Sequence, residues 1–181
     1  MYIESFRIDG FGIYNGVTVP QLPPGMSIFL GENEAGKSTC LEFLRTMLTG
    51  YPAGRRAARD TSPLRGGEAG GGLVLRAGPK RLILTRRPGT GDGILSLHED
   101  GGAMVDAAVL QQLLSHVSRE VYCAVFGFSL LELAALDSLD AEDVRNALYS
   151  ASFGAGLRSP GEAMSLIEAR METLFRKRSG R

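Results

Sequence analysis

Nine consecutive residues, Gly31-Glu32-Asn33-Glu34-Ala35-Gly36-Lys37-Ser38-Thr39, have the types and spacing to hold a phosphate chain. They fit G-x-x-x-x-G-K-[ST], a loop whose backbone N–H groups cradle phosphate oxygens. In that chemistry Lys37 reaches the β/γ-phosphates and Ser38 offers its hydroxyl to Mg²⁺. Gly31 and Gly36 permit backbone angles and a close approach that a Cβ would forbid. Asn33, Glu34, Ala35 and Thr39 complete the candidate nucleotide-binding set, with a triphosphate and Mg²⁺ as the expected ligands. The competing reading is a glycine turn before a helix that binds nothing.

Such a loop works only between a strand and a helix, which aims its positive N-terminus at the anion. Met26-Ser27-Ile28-Phe29-Leu30 reads as a short buried strand before the loop. After it, Cys40, Phe43, Leu44 and Met47 fall at helical spacing and predict a helix over 39–48. Upstream, Ile3, Phe6 and Ile8 with polar neighbours predict a strand over 2–9. Val17-Thr18-Val19 is its hairpin partner, closed by Pro20. Three runs, 72–76, 81–86 and 93–98, predict a small antiparallel meander separated by Gly78-Pro79 and Pro88-Gly89. Val109, Leu110, Leu113, Leu114 and Val117 predict a helix over 106–117, and Ser118 is placed to cap another over 119–126. Asp140 with Asp143 resembles a capping box opening a helix through Leu148. Near the end Met164, Ile167, Met171 and Leu174 follow a 3-4-3 heptad spacing. That is either the start of a coiled coil or an ordinary amphipathic helix. The pattern breaks off at Arg178-Ser179-Gly180-Arg181, as expected of a piece of a longer protein. The expected organisation is α/β: a phosphate-binding lobe over 1–158 and a helix beginning a coiled coil over 159–181.

The chain's 181 residues suffice for one sizeable domain, and its 20 basic and 20 acidic residues cancel. No global charge advertises nucleic acid, membrane or an acidic partner. No apolar run is long enough to span a bilayer, and Met1-Tyr2-Ile3-Glu4 lacks the basic start of a signal peptide. Two cysteines, Cys40 and Cys123, stand in apolar contexts, the usage of a reducing cytoplasm. A disulfide or a reactive thiol is the alternative. No Cys/His cluster suggests zinc.

A nucleotide hydrolase also needs an acid on the metal and a group orienting water. The nearest apolar run ending in Asp is Ala134-Ala135-Leu136-Asp137, followed by Ser138 rather than Glu. Ser152-Phe153-Gly154-Ala155-Gly156 is glycine-rich but lacks an LSGGQ pattern. The chain thus carries a phosphate cradle without a complete catalytic set.

The 31–39 stretch, following an N-terminal hairpin, resembles the loop of SMC-like and RecF-like ATPases, and more closely that of the YhaN-like branch related to SbcC. Pro63-Leu64-Arg65-Gly66-Gly67, the 81–87 strand, the 118–128 helix and the basic 174–181 stretch are similar to segments of that branch. The resemblance implies the N-terminal half of an ABC-type head. A C-terminal lobe would return after an antiparallel coiled coil, and ATP would be sandwiched in a homodimer of heads. It also implies action on DNA, in repair or chromosome maintenance, beside a SbcD-like nuclease. In that family a Gln near the end of the sheet meets the metal, and the alignment places Ser129 there. Ser129 is therefore a metal candidate, or else a helix cap. Such a fragment is expected to bind ATP with little turnover. An OLD-type nuclease ATPase has a similar loop, and a nucleotide-gated dimerisation module is a third reading.

Arg55, Arg56, Arg59 and Arg65 lie in the long 50–71 loop, where they either contact phosphate or stay solvated. Arg65 is favoured, because Pro63 and the following glycines fix its loop. Arg86 and Arg87 either extend a basic strip with Arg76, Lys80 and Arg81 or belong to a solvated strand face. His98 and His116 have no partner at catalytic spacing and are expected to be structural or exposed.

Overall fold

The computed structural model describes residues 1–52 and 61–129, together with Arg170. Two strands open the chain, β1 (Tyr2–Phe11) and β2 (Tyr14–Val19), followed by helix α1 (Lys37–Thr49). Strands β3 (Gly70–Ala77), β4 (Lys80–Arg87) and β5 (Ile94–Glu99) come next, then helices α2 (Ala107–Leu113) and α3 (Arg119–Val125). The expected hairpin and meander are one antiparallel sheet, ordered β2-β1-β3-β4-β5, because β3 pairs with β1.

The side-chain period of two sets the core face. Val19, Phe6, Leu73, Leu84 and Leu97 stand opposite one another across all five strands. Ile8, Leu75 and Leu82 extend this apolar surface, and α1 lies against it through Phe43 and Met47, both fully buried. Phe43 meets Phe11 edge-on at 5.4 Å and Phe6 at 6.1 Å. Gly71 makes this seating possible: a Cβ there would lie 2.2 Å from the Arg7 carbonyl oxygen and 2.9 Å from the Phe43 ring. Ile3 and Phe6, three residues apart, would face opposite ways in a regular strand. A register shift between Ile3 and Ser5 lets both meet the core.

The expected strand at Met26–Leu30 is a correction. The segment forms no strand, and Met26 and Leu30 are 85% and 90% exposed. Among the described residues nothing pairs with its backbone as a sheet neighbour; Phe29 alone leans on Phe6, at 6.1 Å. The helix expected over 106–117 is capped at Asp106 but ends at Leu113, where Ser115 and His116 take left-handed angles. Ser118 caps α3 as expected, its hydroxyl accepting from the Val121 N–H. The 140–148 helix, the 164–174 heptads, the Ala134–Asp137 run and the 152–156 glycine stretch lie outside the described residues. So do Arg55, Arg56 and Arg59.

The outer sheet face carries ion pairs. Glu4 joins Arg76 and Arg81, each at 2.9 Å, and Arg81 also meets Asp100. Arg87 pairs with Glu68 and Asp9 on that face, while Lys80 meets Glu99 at the edge of the opposite one. Arg76, Lys80, Arg81 and Arg87 are therefore each paired with an acid within the fold. The hydrogen bond from Arg81 holds the Glu4 carboxyl below its ordinary value of 4.5; desolvation opposes this and Arg76 adds to it. A depressed folded pKa stabilises the fold above 4.5 and ceases to do so as pH falls through the lower folded value. Glu4→Gln should therefore lower Tm at neutral pH, and the gap to the parent should close in melting curves taken progressively below pH 4.5.

Candidate phosphate-binding site

The loop joins the coil of Met26–Leu30 to the first turn of α1. Its backbone is left-handed at Glu34 (φ 65°) and at Gly36 (φ 93°). Alternating hand over successive residues turns N–H groups toward a common point. Gly36 is the N-cap of α1, and it has no side chain to satisfy the helix's first N–H groups. No acidic residue stands in the first turn. The end of the helix that attracts anions is thus left open to one. Lys37 is folded back, its Nζ donating to the carbonyls of Gly31 (2.7 Å) and Glu32 (2.6 Å). The Ala35 N–H closes a turn onto Glu32 O at 3.2 Å. Gly31, Asn33, Glu34, Ala35, Lys37 and Ser38 are exposed, and Gly36 and Thr39 are half-buried.

The β1–β2 turn braces this loop. Tyr14 Oη donates to Ala35 O at 3.3 Å, and a Cβ on Gly36 would lie 2.6 Å from Ile13 Cδ1 and 2.7 Å from Tyr14 Oη. The Tyr14 phenol is a donor at neutral pH, and burial raises its pKa further above the ordinary 10.0. The same turn holds the loop bearing Arg65: Leu64 N–H donates to Gly12 O and Asn15 Nδ2 to Arg65 O. Arg65 is exposed. The fold therefore gathers Gly31–Thr39 into one cradle and hangs the Arg65 loop from the same hairpin. Ser129 lies past α3, beyond Gly127, which is bonded to Arg45 about 12 Å along α1 from Lys37.

The far end of α1 is capped by cations from elsewhere, because its own last turn has none. Arg86 Nε donates to Met47 O at 3.1 Å, and Arg119 Nη1 to Gly50 O at 2.6 Å. These charges answer the negative end of the helix dipole. Arg86 thus corrects the solvated-face expectation: it is 4% exposed, in line with Leu82 and Leu84. Burial pulls its pKa down, while Asp92 opposes that shift. Sequence reasoning also passed over Tyr14, Glu42, Arg45 and Arg119. The remaining candidates behave as expected. His98 Nε2 bonds Ser96 Oγ at 2.7 Å, and His116 is exposed. Cys40 and Cys123 are half-buried and not joined in a disulfide, and burial raises the Cys40 pKa. Among the described residues there is no metal-binding cluster of His, Cys, Asp or Glu, and no helix is long and apolar enough to cross a membrane.

The family model for an AAA domain matches residues 1–181, the whole chain. The chain belongs to this AAA domain family. Over 173 residues it is 29% identical to the uncharacterized protein YhaN of Bacillus subtilis, covering 93% of the chain and 17% of that protein. A shorter stretch of 49 residues is 41% identical to the DNA replication and repair protein RecF of Herpetosiphon aurantiacus, covering 27% of the chain and 12% of RecF. The chain thus spans less than a fifth of either relative's length. These similarities agree with the resemblance to RecF-like and YhaN-like proteins, and the chain is an AAA-type domain with a mixed α/β fold.

Proposed function

We propose that the chain is the ATP-binding N-terminal lobe of an SMC/SbcC-like ATPase acting on DNA in repair or chromosome maintenance. The observation that carries this reading is the uncapped, acid-free N-terminus of α1 behind a glycine loop, with Lys37 and Ser38 at its mouth. Gly31, Asn33, Glu34, Ala35, Gly36 and Thr39 form the cradle, and Lys37 leaves the Gly31 and Glu32 carbonyls for the β/γ-phosphates. Arg65 approaches the nucleotide from the loop tied to the same hairpin. Ser38 would hold Mg²⁺, with Ser129 as a further candidate. Hydroxyl ligands, with no metal-binding cluster of His, Cys, Asp or Glu among the described residues, suit an ion held mainly by phosphate oxygens, the usual habit of Mg²⁺. That ion, when bound, supplies charge neutralisation at the phosphates.

The exposed Met26–Leu30 segment supports a composite site. An apolar stretch beside the loop, with no sheet neighbour among the described residues, suits strands supplied by a C-terminal lobe, and the signature loop would come from a second head. In this reading 1–158 is the lobe and 159–181 opens the coiled coil. Calorimetry with MgATP tests it: the chain should bind ATP and turn it over barely, whereas rapid turnover by the chain alone would sink the composite site. Sizing with ATP against a non-hydrolysable analogue tests the homodimer. Tyr14→Phe removes one hydrogen bond to the loop, worth about 1 kcal/mol, and should weaken MgATP roughly 5-fold in the same titration.

A further inference from the structure

The first residue of α3 and the residue just past its C-cap are both bonded to one face of α1. At the start, Arg119 Nη2 pairs with Glu42, and Nη1 donates to Thr49 Oγ1 at 3.0 Å and Gly50 O at 2.6 Å. At the finish, Arg45 Nε donates to Gly127 O, and Arg45 Nη1 meets Glu42 Oε2 at 3.4 Å, which closes the circuit. Glu42, Arg45 and Thr49 recur at i, i+3 and i+7, one stripe of the helix. The guanidinium of Arg45 is buried, its side chain 7% exposed. A charge in that position is expensive without partners and rigid with them. Gly127 fits closely, since a Cβ there would lie 3.0 Å from Tyr122 Cε1 and 3.6 Å from Arg45 Cγ. The main contacts of α3 are with α1 rather than with the sheet.

Lys37, at the opposite end of the same helix, is latched onto the loop carbonyls it must release when a triphosphate enters. A helix is stiff along its axis, so a change at its first turn is delivered to whatever is bonded farther along.

We infer that Glu42, Arg45 and Arg119 couple occupancy of the glycine-lysine loop to the position of the 127–129 turn, with Arg45 as the positioning residue. This rests on the nucleotide-binding reading above. The device gives the segment following α3 a mechanical report of whether the loop is filled.

The chain has no tryptophan, so Phe128→Trp, at a site 45% exposed, introduces a single reporter beside Gly127. MgATP should alter its emission. Adding Arg45→Met should cut that change at least about 5-fold while the calorimetric Kd stays within about 3-fold, with Arg45→Lys intermediate. If Arg45→Met does not fold, Arg45→Lys and Glu42→Gln are judged by the same loss of signal at retained Kd. A merely structural role predicts a lower Tm with the full emission change, and that result overturns the inference. MgATP binding without any emission change in Phe128→Trp overturns it too and leaves the nucleotide reading standing. No heat of binding in the parent chain removes the nucleotide reading itself, and the coupling with it.

Discussion

Replacing Lys37 with alanine will weaken MgATP binding by roughly 10- to 100-fold while leaving the melting temperature of the unliganded chain nearly unchanged. Charge-assisted hydrogen bonds contribute about 1.5–3 kcal/mol, and each 1.4 kcal/mol is a factor of ten in affinity. Lys37 is exposed, and its present partners are two loop carbonyls that water can satisfy equally well. Its removal therefore costs the fold little. Lys37→Met keeps the aliphatic stem and loses the charge, so it should behave like alanine. Calorimetric titration with MgATP and a thermal melt read both halves of the expectation. Unchanged affinity in either variant would remove the loop from consideration as a triphosphate site.

Phe43→Ala should have the largest effect on stability, about 3–5 kcal/mol, the usual cost of truncating a buried aromatic. The ring is completely buried between Phe6 and Phe11 and over the bare backbone of Gly71. The surrounding sheet is held by backbone pairing and cannot collapse into the space. Domains are typically stable by about 5–15 kcal/mol, so the variant will be marginal. Urea unfolding should show a midpoint far below that of the parent, with Phe43→Leu in between. MgATP affinity should fall with it, because this ring seats the helix whose first turn forms the cradle. A loss below about 1 kcal/mol would mean that α1 is not fixed to the sheet through this contact.

The strands and the phosphate loop were legible because they depend on local chemistry. In β4 the alternation Leu82, Leu84, Arg86 runs straight through, and it placed Arg86 on the buried face. The charge, taken at face value, pointed the other way. What decides the matter is the α1 C-terminus, whose carbonyls offer a buried guanidinium its partners; that helix end is distant in sequence and was not visible from β4. The pairing of β3 with β1 was hidden for the same reason: more than fifty residues separate the two strands, and no turn dictates their register. Met26–Leu30 has the composition of an inner strand, yet composition cannot supply a neighbour. Tyr14 and the Glu42–Arg45–Arg119 circuit escaped notice because each acts through contacts between elements. Lys37, Ser38 and the two glycines could be picked out because their spacing alone specifies a loop.

Met26–Leu30 also has a consequence for the chain as a material. It is uncharged, strongly β-forming and open to solvent, the profile of a segment that stacks against copies of itself. Pro23 and Pro24 on one side and Glu32 and Glu34 on the other serve as gatekeepers that shorten the sticky stretch without removing it. While it is uncovered, on the ribosome or in a test tube, solubility is set by concentration and by chaperones more than by the stability of the sheet. Light scattering that rises with protein concentration, and is abolished by Ile28→Lys without a fall in Tm, is the signature to expect.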